Sequence, residues 1–317
     1  MIIDKFTLFS FISIREKLLL PLDKFLSNDE ILEVCDHSKY NNKFFSLPFF
    51  LHANENDLRE IKGDKINLFY EKKFYGSVGI KSVSLLNKNL MIEKLFSKKN
   101  KYSKHPYKDY LLNCGNYVIE TFPFIKDKKK IIKKKLIGFA TRNIPHKGHE
   151  KIIKYFSSKK NHKLIVNIFE NSTKNKKINS DQSFKSYKKF IKRNNLNKKV
   201  ILKKIKLPSF LLGPKQAAIH AIVGKNLSCN SYIIGRDHSG YKGFYGEHDS
   251  LNYCKEKQKK IGLKIFDSGS PVYCKKKMSI TFRKDCICGD FIDISASLLR
   301  STKNKNLKKI LSNFHEK

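Results

Sequence analysis

Two stretches of the chain gather residues that handle anions. The first is Thr141-Arg-Asn-Ile-Pro-His-Lys-Gly-His149, which follows the apolar run Leu136–Ala140. A loop leading from a strand into a helix N-terminus points backbone N–H groups at a bound anion. Pro145 and Gly148 shape a tight turn there, and Gly148 lets a phosphate approach the main chain closely. His146 and His149 can donate to phosphate oxygens, and Arg142 adds a planar, charge-assisted fork. A His-x-x-His metal pair is the competing reading, but no carboxylate stands at the spacing a catalytic zinc motif requires. An ordinary surface loop with two histidines is the plain alternative. The second stretch is Gly235-Arg-Asp-His-Ser-Gly240, again Gly-flanked and again after an apolar run, Ser231–Gly235.

The elements around these stretches alternate. Short buried-strand patterns at 136–140, 163–168, 200–202 and 231–235 are separated by helical patterns at 149–156, 184–194 and 213–226. Such alternation predicts a parallel α/β sheet. Two anion-handling loops on neighbouring strands would then face one crevice. Residues 30–125 read as mostly β, with a hairpin of Ile66–Tyr70 and Tyr75–Ile80 around Glu71–Lys73, which predicts a small barrel or sandwich. The lysine-rich link Lys126–Lys135 is the best boundary, and a Cys-containing tail follows residue 266.

Composition narrows the class of partner. The 317 residues carry a net charge of +38, which invites a nucleic-acid reading. Only seven of the 66 basic residues are arginine, however, and lysine is spread over every segment. Nucleic-acid readers more often concentrate charge and enrich arginine. Specific nucleic-acid binding is therefore disfavoured, and Arg142, Arg236 and Arg300 gain weight as retained guanidinium groups. No run reaches the roughly 18 apolar residues of a membrane span. The apolar start, Met1–Leu20, is interrupted by Asp4, Lys5 and Arg15 and lacks a signal-peptide pattern. Seven cysteines without such a signal predict reduced thiols in the cytoplasm.

The motifs resemble those of the ATP sulfurylase (sulfate adenylyltransferase) family. Its first signature, approximately Gln-Thr-Arg-Asn-Pro-x-His-x-Gly-His, stands here as Ala140-Thr-Arg-Asn-Ile-Pro-His-Lys-Gly-His149, and its Gly-Arg-Asp-His-Ala-Gly as Gly235-Arg-Asp-His-Ser-Gly240. Gly213-Pro-Lys-Gln216, Gly224-Lys-Asn226, Tyr245-Gly246 with Asp249, and Ile294-Ser-Ala-Ser-Leu-Leu-Arg300 match further motifs in order. In the N-terminal part Leu20-Pro-Leu-Asp-Lys-Phe-Leu26, Lys62-Gly-Asp64 and His105-Pro106 also sit where the family has counterparts. The resemblance implies a multi-domain α/β fold: a PUA-like β-rich domain over 1–130, a Rossmann-like adenylyltransferase domain over 131–266 and a small C-terminal region over 267–317.

It also implies a reaction, in which a sulfate oxygen attacks the α-phosphorus of MgATP. Thr141 and Asn143 would orient phosphates, and Arg142 would bind the sulfate or the transferring phosphoryl. His146 and His149 would stabilise the transition state, and Gly148, Gly235, Arg236 and His238 would hold the nucleotide. Partners are then small molecules, ATP and sulfate or another oxyanion, with a homo-oligomer left open. The chain departs from the pattern at Ala140, Ser239 and Gly224, where the family has Gln, Ala and Arg. Ser239 could replace the donor lost at Ala140; the pocket could be enlarged for another oxyanion; or the protein could be a degenerate paralogue that binds nucleotides or polyanions. In the tail, Cys274, Cys286 and Cys288 resemble the family's zinc cluster, but Lys277 stands where another Cys is expected, so three thiols fall short of a closed tetrahedral site unless His248 or His315 completes it. The glycines of Gly76–Lys81 and of Gly224–Asn226 do not have the spacing and Ser/Thr of a Walker loop.

Overall fold

A computed structural model describes residues 1–96, 104–125, 135–170 and 180–311. The lysine-rich link at 126–135 lies almost wholly outside the described residues. Five parallel strands form the central sheet, in the spatial order Lys264–Asp267, Ser231–Ile234, Leu136–Thr141, Lys163–Glu170 and Val200–Lys206. The chain thus builds outward from Leu136–Thr141 through two more strands, then returns to place Ser231–Ile234 on its other side. This is a doubly wound, Rossmann-like order, and its reversal falls between Leu136–Thr141 and Ser231–Ile234.

Every residue of Leu136–Thr141 is buried, because both faces of a parallel sheet are covered. Ile137 and Phe139 join one core with Ile153, Tyr187 and Phe190. Leu136 and Ala140 join the other, which continues without a break from Ile3 to Ile265 and so includes the N-terminal elements. Between that sheet face and the N-terminal elements runs the helix Gly213–Asn226, buried from Gln216 to Gly224 and again at Asn226. Its Gly224 and the strand residue Gly138 flank the Tyr232 ring, and a Cβ on either would collide with that ring.

The N-terminal part corrects the expectation of a mostly β segment. Its four-stranded antiparallel sheet has the order Leu51–Ala53, Tyr117–Thr121, Lys73–Leu85, Lys65–Tyr70, and the predicted hairpin is there. Helices Lys5–Arg15, Asn28–His37, Glu55–Arg59, Lys88–Phe96 and Pro106–Asn113 accompany it. The first hid from the sequence because Thr7 to Ile14 are all buried, so no polar face marks a helical period. The C-terminal region is a three-stranded antiparallel sheet, Ser279–Phe282, Pro271–Cys274 and Phe291–Asp293, with helices Ala296–Ser301 and Lys305–Leu311. Among the described residues no helix is long and apolar enough to cross a membrane.

Candidate active site

The strand Leu136–Thr141 delivers its loop to the sheet's reversal point. Thr141 is buried, and its hydroxyl accepts from the Asn143 backbone N–H at 3.2 Å and from the Tyr187 hydroxyl at 3.3 Å. Those bonds turn the chain sharply after the strand and fix Asn143 against it. His146 is the N-cap of helix Lys147–Ser157, and its Nδ1 accepts the His149 N–H at 3.4 Å. A neutral His146 therefore carries its proton on Nε2. The His146 and His149 rings stack at 3.8 Å with 19° between planes. Gly148 fits closely under this stack, since a Cβ would lie 3.1 Å from the His146 ring and press it aside by a few tenths of an ångström. Burial pulls the His149 imidazolium down to about 4, against a hydrogen bond to the Ile144 backbone that favours the charge. Its Nδ1 is sealed from solvent and makes no hydrogen bond, an orphaned polar atom in the loop that was expected to hold phosphate.

The second loop meets the first through a residue that the sequence did not single out. His220, on helix Gly213–Asn226, places Nδ1 2.9 Å from Nε2 of His238, so one proton is shared along that line. Its ring stacks on Phe169 at 4.2 Å, and Ser239 Oγ lies 3.5 Å from the same Nδ1. Burial, then the charges of His238 and Arg142, hold His220 well below the usual imidazole value. Burial and then Arg142 bring His238 to about 4. Arg142 also opposes the upward push that burial gives the Asp237 carboxyl. The guanidinium of the first motif thus acts on His238 of the second and on its partner His220, and it lies 3.4 Å from Ser209 Oγ. Asp237 and Ser239 adopt left-handed φ of 45° and 61°, and the Ser239 carbonyl accepts the Gly213 N–H at 3.1 Å. Gly213 itself has φ 38° and no room for a side chain beside Tyr245. At Gly235 the reverse holds: a Cβ would meet only Ser268 Oγ, at 3.9 Å, so the backbone there faces open space.

Other expected residues stand differently. Arg236 is held by Asp293 at 2.5 Å, the Ile294 carbonyl at 3.1 Å and Glu247 at 3.2 Å, a network that Arg283 shares. Its fork therefore ties the second loop to the C-terminal region. Gly224 lies at the opposite end of its helix from Gly213, under the Tyr232 ring, so its departure from the family pattern is a change in packing against that ring. Ala140 is buried and pairs across the sheet with Asn167. Asn167 is fully buried, and its amide interacts with the Tyr232 hydroxyl without a well-formed hydrogen bond. The only sequence signal for Asn167 was a lone amide inside an apolar strand; for His220, a lone imidazole inside an apolar helix. Arg300 lies in helix Ala296–Ser301.

Cys274, Cys286 and Cys288 do come together, with sulfurs within 4.8 Å of one another. No fourth His, Cys, Asp or Glu joins them among the described residues, and His315 lies outside those residues. The trio offers three corners of a tetrahedron and does not by itself close a structural zinc site.

Comparison with known proteins agrees with this layout. A family model described as ATP-sulfurylase matches residues 124–310, and one described as a PUA-like domain matches residues 1–120. A sulfate adenylyltransferase of Ignicoccus hospitalis is 25% identical over 287 residues, covering 84% of this chain and 74% of that protein. One from Aeropyrum pernix is 27% identical over 305 residues, covering 88% and 79%. Among solved structures, a hexameric APS kinase from Thiobacillus denitrificans superposes with a TM-score of 0.62 at 13% identity. That likeness covers 94% of this chain but 57% of the other, and it speaks to the fold. With its two loops, its doubly wound sheet and a family match over more than half its length, the chain belongs to the ATP-sulfurylase family.

Proposed function

We propose that the protein transfers the adenylyl group of MgATP to sulfate, giving adenylyl sulfate and pyrophosphate. One observation carries the reading: the loops that bear Arg142 and His238 follow the neighbouring parallel strands Leu136–Thr141 and Ser231–Ile234, between which the strand order reverses. A sulfate oxygen forms the new bond to the α-phosphorus as the bond to the bridging oxygen breaks, and pyrophosphate leaves with that electron pair. Such a transfer needs positioning and charge stabilisation more than covalent help from the protein. The open backbone at Gly235 suits a close-lying nucleotide, and Arg142 is the cation placed for the developing charge. His146 offers its Nε2 proton to a phosphate oxygen. Among the described residues no cluster of three carboxylate or imidazole ligands stands at the crevice, so magnesium is expected to arrive on the nucleotide's phosphates. Bound there, it would neutralise charge on the departing pyrophosphate.

A second reading, adenylylation of another oxyanion, is favoured by Ala140, which supplies no side-chain donor. Pyrophosphate release measured with ATP and a series of oxyanions decides between them. Turnover with sulfate is the expected result; turnover with another oxyanion alone selects the second reading, and none with any oxyanion rejects both.

A further inference from the structure

A second cleft, of about 680 Å³, opens between the N-terminal part and the helices Gly213–Asn226 and Asp249–Ile261. Its volume is that of a small-molecule site. Lys39, Lys43, Lys215, Lys225, Lys257 and Lys260 line it, six of sixteen lining residues. Lysine makes up about a fifth of the whole chain, so the lining carries about twice the chain's average density of it. Asp36 is the sole carboxylate of the lining, and it is already engaged by Lys94 at 2.6 Å. Lys39 and Lys257 have Glu33 and Glu256 nearby, at 3.8 and 2.5 Å, whereas Lys43 and Lys260 have no carboxylate in reach among the described residues.

Lys215 is the telling member. Its ammonium is drawn in between the domains and donates to the Cys35 carbonyl at 2.6 Å. Burial lowers the pKa of that ammonium, Cys35 and Asp36 oppose the shift only in part, and an anion in the cleft would offset the remaining cost. Phe44 and Tyr253 rings, 6.3 Å apart, stand on the same wall and give a flat group a surface.

We propose that this cleft binds a small anion carrying a chain of two or more phosphate groups, free or attached to a nucleoside. The site is separate from the catalytic crevice and independent of the activity assigned to it. One helix serves both: Lys215, Ile222 and Lys225 lie on its cleft face, and Gln216 and His220 on the face toward the second loop.

The protein contains no tryptophan, so Tyr253→Trp places a single reporter in the cleft. Its emission is followed during titration with inorganic tripolyphosphate, and separately with ATP, at about 0.15 M salt. The expected result is a saturable change, weakened at least roughly tenfold by Lys43→Glu with Lys260→Glu and within about twofold of unaltered in Arg142→Ala. Tighter binding of ATP than of tripolyphosphate identifies a nucleoside-bearing ligand; equal binding identifies the phosphate chain alone. Calorimetric titration of the protein retaining Tyr253, with and without the two exposed-lysine changes, repeats the test without the reporter. The proposal is overturned by a response that never saturates. It is equally overturned if the distant exposed pair Lys72→Glu and Lys188→Glu weakens binding as much, or if the cleft takes an RNA oligonucleotide but not tripolyphosphate.

Discussion

His149 and His238 are held near 4, while an imidazole in the unfolded chain titrates near 6.5. Between those values the unfolded chain binds protons that the folded chain does not, so stability rises with pH through the window. The contribution is intact above about 6.5, falls as the pH drops, and is fully lost by about 4. Urea midpoints should therefore decline from pH 7 to pH 4.5, and His149→Gln should flatten that decline. An unchanged slope in the variant would show that His149 is not the group responsible. Ala140 poses the complementary question of what the acceptor is. If the pocket has merely weakened for sulfate, Ala140→Gln restores a donor beside the Asn167 amide and lowers the KM for sulfate by roughly tenfold, the worth of a good hydrogen bond to a charged group. If a bulkier oxyanion is the substrate, the same change fills its space and lowers turnover with it.

Tyr232 organises the elements behind the site. Its ring sits over Gly138 of the central strand and under Gly224 of the long buried helix, and it tolerates no Cβ from either. Gly138→Ala should cost about 1–3 kcal/mol through overpacking. In a double-mutant cycle with Tyr232→Leu, most of that cost should vanish, because the colliding ring is gone. Additive costs would mean that the strain lies elsewhere. These elements were legible in the sequence to the extent that their burial is simple. Strands at 136–141, 163–170 and 231–234, covered on both faces, announce themselves as short apolar runs, and Gly213-Pro214 marks the start of the buried helix. The edge strand Lys264–Asp267 did not stand out, with four residues of which only Ile265 is buried. His220 could not be assigned a role either, because its meaning lies in a 2.9 Å contact with His238 on another element. The partners of Arg236 were out of reach for the same reason, since Asp293 is 57 residues away in the chain. Motif spacing marks where a site is; which atoms face each other within it is tertiary information.

The family motifs also reach beyond chemistry, into how the molecule is held together. Asn226, which closes the Gly224-Lys-Asn motif, donates its amide N–H groups to the Leu18 and Leu20 carbonyls at 2.8 and 3.0 Å. Ser13 reaches the Lys206 carbonyl at 2.5 Å, Ser46 the Lys215 carbonyl at 2.7 Å, and the His105 ring lies 3.2 Å from the Leu211 carbonyl. All of these bonds join the N-terminal part to the catalytic part, and one apolar core runs through both. Neither part can lose its structure without exposing the other's buried face, so the two should melt as one cooperative unit. Calorimetry is expected to show one transition spanning both. Asn226→Ala removes two buried bonds and leaves two carbonyls unpaired, which should cost roughly 2–3 kcal/mol. The variant's single transition should move to lower temperature without splitting. Two resolved transitions in the unaltered protein would instead mean that the shared core contributes little across the junction, and that the positions of Lys215 and His220 are set by the catalytic part alone.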